Sequence, residues 1–490
     1  MVLAPPHFTL ICSTSPCISI ISHVSASHPM ILSPRYQLFP VFVLQEQEAT
    51  RNPSTQPSAT SRFSRKLFKG MFFSQLTLVS VLVIVLTIRG LISADSHHFH
   101  PKKWYPPLLT SVAVSGTLSL AWQCIFLWKA SATLKAAFYI SPIFTCSVGI
   151  MLVLTNSTPV AAIGALFVFF SIVQSLYACW ITERLEYATK ILSSATLIPP
   201  AKTNAIVSLS VIVGVLYSGF LVTGIGGATS TRTNLDILFI SLIVISLAWT
   251  MQVLKNIQEV TISRARYINF TCGEDMDTCN AFRVTVKTLL GSVCIGSTIV
   301  PLIVFARGMA RSLKLLTTGG ENFMCFYADC CLNVANTLIT FGNRWGFVHV
   351  GIYDKGFVDA STDIWHMFRR IEGFEQLIDS DLTGSFCFLS GVIVGAISAL
   401  TGGIWVLLIH KDYTLEVTLY AFIIGYFVFR VASAWLQACV LAYYVAYVED
   451  PHNARFDATI PRRIQRLQMY NARDNDRDRA RDSDGEMSEI

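Results

Sequence analysis

Long apolar runs, each near the 20 residues that a helix needs to cross a bilayer, recur along this chain of 490 residues. Hydrocarbon offers the backbone no water, so such runs fold as helices whose amide groups bond within the segment. The pattern predicts an all-α polytopic membrane protein with about ten transmembrane helices. They fall near residues 71–92, 105–128, 136–155, 159–181, 204–224, 235–254, 288–306, 332–353, 386–409 and 418–447. The eighth is strongly amphipathic. Composition agrees: 52% of residues are hydrophobic and 14% charged, whereas soluble domains carry about 25% charged residues.

Lys and Arg in the short connections set the expected orientation. With the amino terminus inside, the inner segments hold more than twice as many basic residues as the outer ones. Arg62, Arg65, Lys66, Lys69, Lys255, Arg264, Arg266, Arg283 and Lys287 are among them, and residues 255–287 read as a cytoplasmic loop. Both termini are expected to face the cytoplasm. The net charge of +6 is then membrane topology, and no nucleic-acid partner is expected.

The chain divides into residues 1–64, a disordered cytoplasmic segment; 65–450, the ten-helix domain; and 451–490, a cytoplasmic tail. The apolar patch Phe8–Ile21 is broken by polar residues and has no basic leader, so it does not read as a signal peptide. The end of the tail, "NARDNDRDRARDSDGEMSEI", alternates charge with almost no apolar content and is expected to be disordered. Sequons at Asn156 and Asn269 fall in a tight turn and on the cytoplasmic side, where no glycan is expected. The 13 cysteines form no CxxC pair, which argues against a disulfide scaffold or a zinc site. No cofactor or metal is expected.

Polar residues inside the apolar runs narrow the function. Arg430, Ser433, Gln437 and Tyr444 fall within about 60° of one another on a single helix, with Trp435 opposite as a packing or lipid-facing residue. Asn333, Asn336, Thr337, Thr340, Asn343 and Arg344 make a second stripe on the eighth run. Lipid satisfies no such groups, so both stripes are expected to face the bundle interior or a watery cavity. Arg430 and Arg344 are intramembrane charges. Arg430 reads as structural support, nearer the outer end of its helix, where it can snorkel or pair with a carboxylate. On the ninth run, Gly391, Gly395, Ala399 and Gly403 recur every four residues, a groove for a neighbouring helix. Asp379 and Asp381 precede that run and read as helix caps.

Several long motifs, in order, are similar to the choline transporter-like family, in its plant branch. They include "LTIRGLISAD", "QSLYACWITERLEYATK", "SLAWTMQVLKN", "NRWGFVHVGIYDKGFV", "LIDSDLTGSFCFLSG" and "AYYVAYVEDPHNARFDATIPRRI". The resemblance runs from about Arg65 to Gln468 and implies a ten-span carrier of choline or a related cationic amine, with ethanolamine a further substrate. It implies the plasma membrane, with a Golgi or endosomal membrane as the alternative. The loop "GGENFMCFYADCCLNVANT" matches only loosely; Cys325, Cys330 and Cys331 there would face an oxidising side and could pair.

A quaternary ammonium donates no hydrogen bond and is recognised by aromatic faces. The candidate substrate residues are therefore Tyr177, Trp180, Trp249, Gln252, Asn336, Thr340, Gln437 and Tyr444. Two other classes compete. "GFVDASTD" carries Asp359 and Asp363 four apart, but it lacks the upstream half of a CDP-alcohol phosphotransferase site and the spacing after Gly356 is short. An enzyme is not expected. A membrane scaffold in vesicle traffic or lipid homeostasis is the remaining alternative. No GxxxxGK[ST] phosphate loop is present.

Overall fold

The computed structural model describes residues 59–469, apart from 93–100, 156, 198, 232–234, 318–321, 372, 410 and 457. Of the segment 1–64 expected to be disordered, residues 59–64 are helical; residues 1–58, residues 470–490 and the sequon at Asn156 lie outside the described residues. Among those described, every regular element is a helix, and nine helices are long and apolar enough to cross a membrane. The chain is a multi-pass all-α membrane protein.

In chain order come α1 (Ala59–Ile92), α2 (Pro101–Trp128), α3 (Ala130–Val153), α4 (Thr158–Trp180), α5 (Leu185–Thr196), α6 (Thr203–Thr231) and α7 (Asp236–Thr271). α8 (Thr278–Val284) passes through a π-turn at Thr285–Leu289 into α9 (Leu290–Thr317). Then follow α10 (Asn322–Phe341), α11 (Gly346–Tyr353), α12 (Phe357–Arg369), α13 (Phe374–Asp379), α14 (Thr383–Ile409), α15 (Thr414–Ala432) and α16 (Ala434–Glu449). Residues 459–469 are helical again.

Lipid gives no hydrophobic drive between helices, so close backbone approach carries the packing. α14 and α15 run antiparallel, with Gly391 against Tyr426, Gly395 against Phe422 and Gly403 against Thr418. A Cβ at Gly395 would stand 2.8 Å from the Phe422 carbonyl oxygen. The small-residue groove of the ninth run is thus filled by the helix that follows it.

Three elements differ from the sequence expectation. First, residues 255–271 are not loop. Between Asp236 and Thr271 there is neither Gly nor Pro, so nothing ends the helix, which at 1.5 Å per residue is about 54 Å long. It stops at Gly273, whose φ of +77° lies in the left-handed region. Arg455 donates to the Phe270 and Cys272 carbonyls, at 3.4 and 2.9 Å, and so satisfies the last turn. Second, the eighth run breaks at Gly342–Trp345 into α10 and α11. α10 runs antiparallel to α9, with Asp329 paired to Lys314, Asn336 bonded to Arg307 and Gly342 against Ile299 and Ile303. Third, the last run breaks at Ser433, separating α15 from α16.

That third break overturns the single polar face expected for Arg430, Ser433, Gln437 and Tyr444. Trp435 is packed as the sequence allowed, and it is not lipid-facing: it is 3% exposed and donates its indole N–H to Gln123 Oε1 at 2.8 Å.

Candidate functional site

α7 is the hub. Its first half carries the apolar side chains of an ordinary span, whereas every residue from Lys255 to Ser263 is buried, whatever its polarity. α16, α15, α9, α11 and α1 all pack around it. A charge on such a segment needs a partner, and the helix supplies one at the i, i+4 spacing. Lys255 Nζ lies 2.5 Å from Glu259 Oε2, with the two side chains 7% and 0% exposed. Lys255 also donates to Asn256 Oδ1 at 3.3 Å, and Asn256 Nδ2 reaches Ser297 on α9 at 2.8 Å. Glu259 Oε1 and both amide atoms of Gln258 are buried without a hydrogen-bond partner among the described residues. A buried acceptor left unmade is costly, so the free oxygen of Glu259 is an acceptor held ready.

The break at Ser433 separates two helices that both pack on α7. Ser433 caps α15, its N–H donating to Phe429 O at 2.9 Å, and the next helix starts at once with Leu436 N–H donating to Ser433 O at 3.1 Å. Interrupted helices place helix ends and free backbone groups inside a bundle, the arrangement used around solute and ion sites in carriers. Arg430 sits in the last turn of α15, where the carbonyl end of the helix dipole favours a cation. Arg430, Lys255 and Cys387 on α14 lie within electrostatic range of one another.

Aromatic rings gather at the same break. Phe429 meets Trp122 edge-on with centroids 6.4 Å apart, and Trp435 meets Phe126 at 6.1 Å. Phe126 in turn touches Phe386 at 5.8 Å. The indole N–H of Trp122 is buried and unpartnered. Phe429, Trp435 and Phe386 are sequence neighbours of Arg430, Ser433 and Cys387, so these rings lie beside the break between α15 and α16.

Past the break, α16 is pinned at its end. Glu449 accepts from the hydroxyls of Tyr267 on α7 and Tyr353 on α11, and His349 Nε2 stands 3.2 Å from its Oε1. α16 therefore cannot move without α7 and α11 responding.

The residues singled out from sequence spread over four places. Tyr177 donates to or accepts from Ser385 Oγ at 2.8 Å, at the start of α14. Trp180 is 67% exposed with the Arg184 guanidinium 4.7 Å above its ring. Trp249 packs edge-on against Phe72 of α1 at 5.8 Å, and Gln252 is half-buried one turn on. Asn336 accepts from Arg307 at 3.2 Å, while Thr340 is half-buried and accepts from Thr362 through its carbonyl. Gln437 is buried in the first turn of α16, one turn from the break. Tyr444 is 1% exposed, its hydroxyl 3.2 Å from that of Tyr187 on α5. Their bonds lead to different neighbours, so they form no single pocket; of the eight, Gln437 lies nearest the break in sequence.

The charged residues fare differently. Arg344 pairs with Asp381 at 2.9 Å, and the same aspartate accepts from the Thr383 N–H at 3.1 Å at the start of α14. The Asp379 side chain and Cys325 lie outside the described residues; Cys330 and Cys331 are free thiols. Among the described residues Arg430 has no carboxylate partner, and it lies in the last turn of the helix that carries it. Asp363, of the "GFVDASTD" segment, is held by Lys355 at 2.6 Å.

Lys255 and Glu259 escaped the sequence reading because both were assigned to a loop. The signal was present as an i, i+4 Lys–Glu pair in a run with no helix breaker, continuing directly from an apolar span.

Comparison with known proteins adds a family. The model for the plasma-membrane choline transporter family matches residues 165–452, from within α4 to just past α16, and so includes the whole hub. A protein PNS1 of Mycosarcoma maydis is 25% identical over 241 residues, 46% of this chain and 45% of its own length. A CTL-like protein of Dictyostelium discoideum is 23% identical over 305 residues, 59% of this chain and 53% of its own. Protein PNS1 of Yarrowia lipolytica is 24% identical over 221 residues, 42% and 38% of the two chains. The matches thus span about half the length of these relatives, or less.

Proposed function

The chain belongs to the plasma-membrane choline transporter family, and from that premise we propose that it carries choline or a closely related cationic amine across the membrane, past the break at Ser433. The observation that carries this reading is the buried Lys255–Glu259 pair beside an interrupted helix.

A quaternary ammonium needs a counter-charge and π faces, and no acceptor for a proton. Glu259 supplies the first. The rings of Trp122, Phe126, Phe386, Phe429 and Trp435 supply the second. In the present arrangement Lys255 occupies the carboxylate and the rings pack on one another, which is the closed condition. An entering amine would take over Glu259, and Lys255 would swing toward the free side-chain groups of Gln258. Arg430, held by the carbonyl end of α15, keeps the local charge positive whenever Glu259 is engaged and so favours release over trapping.

An inside-negative potential assists inward movement of one positive charge by about 2.3 kcal/mol per 100 mV, so facilitated uptake needs no second motor. The test is uptake of labelled choline into liposomes holding the purified chain, with and without an imposed potential. Uptake that rises with inside-negative potential, and that unlabelled choline suppresses more than ethanolamine does, is the expected result. Folded protein with no uptake of either amine would leave the scaffold reading in its place.

A further inference from the structure

Among the described residues, unpaired basic side chains gather where α1 begins. We infer that the first turns of α1 and the π-turn between α8 and α9 form a binding site for the headgroup of an anionic membrane phospholipid.

Arg62, Lys66 and Lys69 stand at i, i+4 and i+7 and share one face of α1. Arg62 and Lys66 are exposed and Lys69 is half-buried. Arg283 and Lys287, four apart across α8 and the π-turn, are both exposed. The two strips are joined in the structure. Lys69 Nζ donates to the Lys287 carbonyl at 3.4 Å, and Arg65 Nη2 to the Thr288 carbonyl at 3.4 Å. A π-turn shifts the ladder by one residue and loosens carbonyls from it, which is how these two come to accept from α1.

The patch has no internal counter-charge. Neither residues 59–71 nor 278–291 contain Asp or Glu. Arg65 takes Asp354 at 2.8 Å, and among the described residues no other ion pair is made from these segments. Like charges held side by side on two packed helices repel one another, and an anion between them relieves that repulsion. Beside the basic strip α1 exposes Phe63, Leu67 and Met71 at four-residue spacing, 66%, 48% and 48% exposed. Cations edged by apolar side chains at the start of a membrane helix fit a ligand that has both an anionic head and acyl chains. A soluble phosphate would use the cations and leave the apolar edge bare.

The experiment uses the full chain in nanodiscs of phosphatidylcholine with a minor fraction of phosphatidylserine, reading co-retained lipid by native mass spectrometry. Phosphatidylserine should be enriched over phosphatidylcholine at low salt, and the enrichment should collapse at 1 M salt, where the screening length is about 3 Å. Arg62→Gln/Lys66→Gln and Arg283→Gln/Lys287→Gln should each lower retention roughly 20-fold or more, about fivefold per cation. Arg62→Lys/Arg283→Lys should retain it. Arg462→Gln/Arg466→Gln, which removes exposed charge elsewhere, should leave it unchanged. No enrichment in the unaltered protein, equal loss in the Arg462/Arg466 variant, or equally strong capture of water-soluble glycerophosphoserine would each overturn the proposal.

Discussion

Glu259 Oε2 receives the ammonium of Lys255 at 2.5 Å from one helical turn earlier, while its other oxygen is buried with no partner. Half of a fully buried carboxylate is thus committed and half is idle. Removing one member of such a pair leaves the other charge uncompensated, commonly a loss of 3–5 kcal/mol. Glu259→Gln should therefore lower the melting temperature of the detergent-purified protein. Lys255→Met/Glu259→Leu removes both buried charges together, leaves neither unpaired, and should recover most of that stability. It should nonetheless fail to take up choline. A double variant that is both stable and fully active would mean that the pair only holds the fold.

The turn after α7 tests the orientation. Asp275 is exposed between Cys272 and Cys279, both exposed thiols. With every other cysteine of the chain replaced by serine as background, Asp275→Cys should react with a membrane-impermeant maleimide only after the cells are opened. Reaction in sealed cells would invert the topology assigned from the basic residues.

The α14–α15 seam should tolerate little. Gly395→Val would push branched carbons toward a carbonyl oxygen only 2.8 Å from where its Cβ must sit. Overpacking of this kind costs about 1–3 kcal/mol or more. Gly395→Ala should also lose folded protein, though less. Size-exclusion yield of the two variants against Gly70→Ala, where nothing lies within 4 Å of the added carbon, measures the difference.

What could be read from the chain follows from which forces are local. Apolar length alone fixes that Ile243 or Val392 lies in a membrane helix, and the spacing of Gly391, Gly395 and Gly403 marks a groove before its occupant is known. The break at Ser433 has no such mark: the surrounding residues are good helix formers, without Gly or Pro nearby, and the interruption comes from how α15 and α16 pack on different neighbours. Lys255 carried a misleading mark, because a charge after an apolar run normally denotes water. Here α16 and α11 replace that water, a fact held in tertiary contacts. The neighbours of the aromatic candidates were illegible for a related reason. Helical spacing showed which residues share a face, as with Tyr177 and Gln174, but not what the face meets; Gln174 is spent on Ser141 at 2.7 Å.

The surroundings of Arg430 and Tyr444 lead to the opposite expectation from their places in sequence. Arg430 has no carboxylate partner among the described residues, and its neighbour in charge is Lys255, a like charge. Arg430→Leu therefore breaks no ion pair and removes a repulsion, offset by the loss of a favourable cation at a helix carbonyl end, about 0.3–1 kcal/mol. Its folded yield should stay close to that of the unaltered protein. Transport should change instead, because Glu259 would then answer to Lys255 alone and hold an amine longer; Arg430→Lys should behave nearly normally. Tyr444 is fixed on all sides, its ring edge-on to Phe374 with centroids 6.2 Å apart and its hydroxyl against Tyr187. Tyr444→Leu should cost roughly 2–4 kcal/mol, on the scale of other buried aromatic truncations. Tyr444→Phe, which keeps the ring and drops one neutral hydrogen bond, should cost about 1 kcal/mol. Melting temperature and choline uptake measured on all four variants separate the roles. A folded Tyr444→Leu protein with weakened choline affinity would return Tyr444 to the substrate path and take Arg430 out of it.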